Sequence, residues 1–428
     1  MTKIPEFLTL NTYFRMNIFR KPQSIQNIYL FLILGNTLAA SFIWGINTIF
    51  LLDAGLSNFQ AFAANAFFTL GQVLFEIPTG IVADRFGRRM SYLLGTITLA
   101  ASTLLYLYMW YIHGPFWGWA ASSMLLGLGF TFFSGALEAW LVDALHATNF
   151  TGSLDGVFAK GQIVGGVAML AGSLGGGIIA QMTNLGVPYI LRAGVLGINF
   201  ATAFFLMKDL GFTPQKTQHP LKDIQNIFSN SVQYGLKNPP VRWLMIAAPF
   251  ISGVSFYIFY ALQPFLLKLY GNEKAYGIAG LVAAIAAAAQ IAGGFAAPHM
   301  RKFFTRRTTT IVSGVSIATV ILLVVSFAHN FWLALLLIFI WGLLSAAISP
   351  IRQAFVNGLI PSAQRATVLS FDSLMGSSGG IVIQPLLGKV ADVFGYPASY
   401  AVSSLFQAAA IPFILLARKE KAESDPIE

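Results

Sequence analysis

Twelve long apolar runs, each ended by charge or turn residues, make up most of the chain and constrain everything else it can fold into. They lie near 27–52, 58–82, 91–112, 116–145, 156–182 and 187–207, then near 241–269, 276–298, 310–329, 331–360, 367–390 and 396–417. A helix needs roughly 20 apolar residues to cross the hydrocarbon core. In lipid the backbone must satisfy its own polar groups, and these runs are too long for barrel strands, so each reads as a helix. Composition agrees: 56% of the 428 residues are hydrophobic and 10% are charged, where a soluble domain carries about 25% charged residues. The prediction is an all-α membrane protein of twelve transmembrane helices, with no room for a large soluble catalytic domain. With no cysteine and only five scattered histidines, disulfides, thiolate metal sites and histidine clusters are excluded.

Lysine and arginine give the sidedness. With the N-terminus inside, twenty of the 26 basic residues fall on the cytoplasmic side, including Arg85, Arg88, Arg89, Arg301, Lys302, Arg306, Arg307, Arg418, Lys419 and Lys421. Arg192, Lys268, Lys274 and Lys389 are placed toward the outside, and Lys160 and Arg352 fall within spans. The bias predicts both termini in the cytoplasm of a multi-pass cell membrane of the bacterial inner-membrane kind. Basic loops beside anionic lipid also account for the net charge of +10 without nucleic acid as a partner. Arg15, Arg20 and Lys21 precede an apolar run too long for a signal-peptide core, so the N-terminus reads as retained. Segment 7–19 reads either as a short surface helix or as a disordered basic tail.

The longest polar stretch, 208–240, divides the runs six and six. The predicted organisation is a tail over 1–26, a six-helix bundle over 27–207, a cytoplasmic linker over 208–240, a second bundle over 241–417 and a tail over 418–428. Within the linker, 221–236 reads as a surface helix with Leu221, Ile224, Ile227 and Phe228 on one face, stopped by Pro239 and Pro240. The two halves echo each other: Ser134-Gly135-Ala136-Leu137-Glu138-Ala139-Trp140 lines up with Ser349-Pro350-Ile351-Arg352-Gln353-Ala354-Phe355, and Gly186-Val187-Pro188 with Gly395-Tyr396-Pro397. Repeats of this kind mark alternating-access transporters, whose substrate site lies between the halves near the midplane.

The second and third spans are joined by Gly80-Ile81-Val82-Ala83-Asp84-Arg85-Phe86-Gly87-Arg88-Arg89. This segment resembles the cytoplasmic signature G-x-x-x-D-R-x-G-R-R of the major facilitator superfamily, with every defining position filled. The resemblance implies two pseudo-symmetric six-helix bundles working by alternating access. It further implies that Asp84 caps the eleventh helix near Thr367 and that Arg88 pairs with Asp143, a latch for the outward-open state. Alternatively, Arg85, Arg88 and Arg89 serve only as topological anchors. The matching loop of the second half keeps Arg306 and Arg307 but has Lys302 where aspartate is expected. The family's antiporter motif is matched only in part, by Ala171-Gly172-Ser173-Leu174-Gly175-Gly176-Gly177 without its proline. Those small residues are read first as allowing close helix packing.

Ionisable groups inside spans are expensive and point to function. Glu138 is the first candidate for proton coupling, with Arg352 across the presumed cavity or Lys160 at the start of the fifth span as its partner. Glu76 and Asp372 read as network residues first and substrate ligands second. Asn36, Asn47, Tyr257, Tyr260, Gln263 and Gln353 are candidate cavity linings, joined by Trp44, Gln162, Gln290 and Gln384. The stretch Phe256-Tyr257-Ile258-Phe259-Tyr260 suggests an aromatic pocket. No phosphate-binding loop or metal-spaced histidine pair supports enzymatic or ATP-driven chemistry. The functional expectation is a monomeric secondary transporter without cofactor that exports a small hydrophobic or amphipathic compound against protons. The rivals are proton-coupled uptake of a polar or anionic nutrient, and a lipid translocator or receptor.

Overall fold

The computed structural model describes residues 21–214, 232–301, 304–361 and 364–427. Segment 7–19, Lys302 and most of the expected linker helix lie outside these residues. The end of that linker, Val232–Leu236, forms one π-helical turn.

The first six spans are built from α1 (Pro22–Trp44) with α2 (Asn47–Asp53), α3 (Asn58–Phe86), α4 (Arg88–Tyr111), α5 (Phe116–Thr131) with α6 (Ala136–Ala147), α7 (Leu154–Met182) and α8 (Val187–Leu206). The second six are α9 (Pro239–Tyr270), α10 (Tyr276–Arg301), α11 (Arg307–Val325), α12 (Phe331–Asn357) and α13 (Arg365–Lys419). The 55 residues of α13 would reach roughly 80 Å if straight, far more than one bilayer. Gly395 breaks it with φ 82° and ψ 168°, and the chain doubles back, because Val368 and Ala417 share one apolar cluster. It therefore supplies the eleventh and twelfth spans. Prolines at the first turns of α1, α8 and α9 fit helix starts, where their missing N–H has no partner to lose.

Two spans are not the single helices expected. The first breaks at Gly45 and Ile46. The fourth breaks after Thr131, with Gly135 left-handed at φ 66°, a conformation glycine adopts without a Cβ penalty. The aligned segment of the second half instead continues as helix through Pro350. The sequence echo across 134–140 and 349–355 therefore does not carry over into matching local structure.

We call the face holding the start of α1 and the end of α13 the terminal face, and its opposite the far face. On the terminal face the two halves repeat one device. Asp209, past the end of α8, accepts the N–H of Arg89 at 2.9 Å, in the first turn of α4. Asp425, past the end of α13, accepts the N–H of Thr308 at 2.8 Å and its hydroxyl at 2.9 Å, in the first turn of α11. Each carboxylate satisfies N–H groups that the helix leaves unpaired and sits at the positive end of its dipole. The tail also pairs with the second half through Arg307, whose backbone N–H donates to the Asp425 carbonyl at 2.8 Å.

Burial pushes the Asp209 carboxyl above its ordinary value, opposed by the N–H groups and charges of Arg89 and Arg88. A raised carboxyl contributes stability that is complete below the ordinary value and is lost as pH rises through the raised one. Two outcomes are expected in thermal melts of the detergent-purified protein. Asp209→Ala and Asp425→Ala each cost about 1 kcal/mol, as cap removal does. Asp209→Asn flattens the melting-point slope against pH just above the ordinary carboxylate range.

Candidate functional site

The halves are joined toward the far face. There Gly177 and Gly280 let α7 and α10 touch backbone to backbone: a Cβ on Gly177 would stand 2.5 Å from the Tyr276 carbonyl, and one on Gly280 would stand 2.6 Å from the Ser173 carbonyl. The small residues of the fifth span thus serve close packing. Asp392, at the end of the eleventh span, accepts the N–H groups of Asn58 at 2.8 Å and Phe59 at 2.9 Å. The next N–H, of Gln60, goes to the Ser57 hydroxyl in a capping box. The first turn of α3 is therefore capped jointly by both halves. Gln263 donates to the Trp44 carbonyl at 3.3 Å, Gly277 N–H to the Gln181 side chain at 3.5 Å, and the Tyr396 hydroxyl to Asn58.

Toward the terminal face the halves part. A Cβ on Gly80 would meet nothing within 4 Å, and Asp84 is 39% exposed. Between the halves lies a cavity of about 630 Å³, within the usual range for a small-molecule site. Its apolar wall includes Trp44, Phe68, Phe130, Phe256, Phe259 and Tyr260. Its polar groups are Asn47, Asn65, Gln72, Tyr106 and Arg192 from the first half, and Ser345, Ser349, Arg352, Gln290 and Gln407 among those of the second. Arg192 and Arg352 are the charged residues of this lining.

Several expected residues take other places. Tyr257 is fully buried outside the cavity, bonded to Ser399 at 2.6 Å and packed on Phe62, because one helical step turns it away from Phe256 and Tyr260. Asn36 belongs to a buried cluster with the Tyr92 hydroxyl and Asn199, both at 2.8 Å. Gln353 and Gln162 are exposed, and Gln384 is buried against the Gly380 carbonyl. Gln263 sits above the cavity as a tie between halves. Asn47, Tyr260, Trp44 and Gln290 do line it.

The charges are also partnered differently. Glu138 is exposed and outside the cavity lining, and no ion pair joins it to Arg352 or Lys160 among the described residues. The left-handed Gly135 starts α6 afresh, so the depth inferred from a continuous fourth span does not apply. Arg352 instead forms a two-pronged ion pair with Asp372, both bonds 2.6 Å, and also donates to the Leu244 carbonyl at 3.2 Å. Glu76 accepts from the Ser134 hydroxyl at 2.6 Å. In the motif, Arg88 pairs with Asp84 at 2.7 Å and not with Asp143. All three border a small polar hollow with Gly211 and Thr213. Arg89 holds the Phe204 carbonyl at 2.7 Å. Gly87 has φ 100°, and a Cβ there would stand 2.4 Å from the Asp209 carboxylate.

Arg192, counted only toward the outside by sidedness, is the intramembrane charge that sequence reasoning does not single out. The helix α8 starts at Val187, so Arg192 is more than a turn inside and only 1% exposed. A lone arginine between Leu191 and Ala193 was the available signal. Asn65, Phe68 and Gln72 form a stripe at helical spacing that was equally readable.

Asp392→Ala removes the shared cap. The expected result is a shift toward opening of the far face, read as longer distances between spin labels at exposed sites beside residues 55 and 272; unchanged distances would show that the cap does not bias closure.

A family model described as Major Facilitator Superfamily matches residues 29–326 and 274–428. The chain is 25% identical to the multidrug resistance protein MdtG of Salmonella arizonae over 331 residues, 76% of this chain and 77% of that relative. It is 25% identical to the MFS-type transporter MJ1560 of Methanocaldococcus jannaschii over 194 residues, 45% of this chain and 48% of that relative, so the match spans about half of the archaeal protein. Among solved structures, the nucleoside transporter NupG gives a TM-score of 0.76 over 92% of this chain and 99% of that one at 12% identity. A bacterial homolog of the human lysosomal transporter Spinster, inward-facing and occupied, gives 0.70 over 93% and 97% at 14% identity. These structural likenesses speak for the fold alone.

Proposed function

The chain belongs to the major facilitator superfamily and is a multi-pass membrane transporter, and on that premise we propose that it exports small amphipathic compounds in exchange for protons. The observation that carries this reading is the aromatic cavity of about 630 Å³ shared by both halves, which are tied to each other at the far face. With the terminal face cytoplasmic, as the basic loops favour, the present state is the one in which an exporter loads from the cell or the inner leaflet. The similarity to a multidrug resistance protein points the same way.

The proton site we propose is Asp372 with Arg352. Ionised, Asp372 holds the guanidinium by two short hydrogen bonds beside the cavity wall. Protonation cancels one charge of the pair and frees Arg352 to reorient, which is how a proton taken up at this site changes what the cavity binds. In the opposite state Asp392 leaves the start of α3, and Asp84 leaves Arg88 to cap the start of α13.

Asp372→Asn should abolish proton-driven accumulation of an amphipathic fluorescent dye in everted vesicles while exchange of preloaded dye persists. Wild-type proton-driven accumulation in this variant would remove Asp372 from the coupling step. Accumulation only in right-side-out vesicles would replace export with uptake.

A further inference from the structure

Of the two arginines in the cavity wall, one has a carboxylate and the other has none. Arg352 is neutralised by Asp372. Arg192 donates through Nε to the Thr103 hydroxyl at 3.0 Å and through Nη1 to the Ala39 carbonyl at 3.2 Å, both neutral acceptors. Its Nη2 makes no hydrogen bond among the described residues. Phe130 lies under the guanidinium, 5.9 Å from it, and is itself part of the cavity wall.

The same lining holds a second donor without an acceptor. Tyr189, three residues before Arg192 on the same face of α8, donates to Asn47 at 3.1 Å, and Asn47 donates to the Asn65 carbonyl oxygen at 3.0 Å. The Asn65 Nδ2 group is left buried without an acceptor, on a side chain 2% exposed. The first half thus presents two unsatisfied donors, one of them charged, at a cavity whose lining includes no acidic residue. An unpaired cation and an orphaned amide inside a membrane protein each carry a desolvation penalty that an acceptor removes. An amphipathic cation entering here would find no carboxylate and would meet Arg192 as a like charge.

We propose that Arg192, with Asn65, is the specificity site for the charged end of an amphipathic organic anion, whose carboxylate, sulfonate or phosphate takes Nη2 of Arg192 and Nδ2 of Asn65. The apolar body then lies against Trp44, Phe130, Phe256, Phe259 and Tyr260. A guanidinium suits this task because its planar fork matches two anionic oxygens at once and stacks on an aromatic ring. The proposal rests on the cavity being the transport site and narrows its substrate from amphipaths in general to anions.

The test is equilibrium binding to the detergent-purified full chain of three probes with one aromatic body: naphthoate, naphthamide and naphthylmethylammonium, read by quenching of tryptophan fluorescence and by thermal shift. Naphthoate should bind at least about tenfold tighter than either other probe, as expected for a charge-assisted pair over a neutral contact. Arg192→Gln should erase that preference, and Arg192→Lys should keep part of it. Asn65→Asp, which keeps the side-chain size, should weaken naphthoate and favour the ammonium probe. The ammonium or amide binding as tightly as naphthoate in the unaltered protein overturns the proposal without any variant. A naphthoate preference that survives Arg192→Gln overturns it as well. Binding needs neither a proton gradient nor a direction, so loss of export in vesicles with the ranking intact would count against the export reading alone.

Discussion

Closure at the far face holds the rest of the molecule in place, and it depends on backbone meeting backbone. Gly177 and Gly280 remove the side chains that would keep α7 and α10 apart. Without a hydrophobic driving force between helices in lipid, such close approach is what packs them. Beside it, the Asp392 carboxylate takes two N–H groups of α3 that no residue of the first half satisfies. With the halves pinned there, they can separate only at the other end, and the aromatic cavity faces that way. The access of the cavity, the exposure of Asp84 and the pairing of Arg88 within its own motif all follow from this one closed contact.

Apolar run length was enough to place twelve spans, because the bilayer imposes one length on every crossing and one secondary structure on every lipid-exposed backbone. Run length was silent about breaks inside a span. Gly45 and Gly135 sit in stretches as apolar as any other, and whether a glycine bends the helix is settled by its neighbours in space. That is why Glu138, assigned a depth along an unbroken helix, proved to begin a new one. The charged residues were legible as a set but not as pairs. Arg352 and Asp372 were both marked, yet the partner of Arg352 was sought on the fourth span, since twenty residues of separation on adjacent helices leave no trace in the sequence. Arg192 counts toward the outside by sidedness, and nothing in the sequence of the sixth span shows that its side chain turns into the cavity rather than toward the surface. The capping acids Asp209 and Asp425 both follow the last span of their half, but their role depends on which helix start they reach.

The two inner arginines differ in a way that bears on transport. Removing one partner of a buried ion pair leaves an uncompensated charge, a loss of several kcal/mol, so Arg352 and Asp372 are held together, and in the proposed coupling a proton is what alters the pair. Arg192 has no such partner and is held by neutral acceptors that fix its position without satisfying its charge. A paired cation is suited to respond to protons, and an unpaired one to respond to a ligand. The cavity holds one of each, on opposite halves, so that in the proposed exchange binding at one wall and protonation at the other bias the same rocking motion.

That motion must run between states of similar free energy, because a ligand shifts a conformational equilibrium only by its difference in affinity for the two states. The end contacts of α3 and the eleventh span suit this need. In the present state a carboxylate of the second half caps the start of α3. In the proposed opposite state a carboxylate of the first half, Asp84, caps the start of α13. Each cap is worth about 1 kcal/mol, and the N–H groups it releases return to water at the membrane surface. Exchanging one for the other changes little in net free energy, whichever face is open. The few kcal/mol available from substrate and, in the proposed exchange, from a proton then suffice to choose the state, which a lock of buried ion pairs at both ends would not permit.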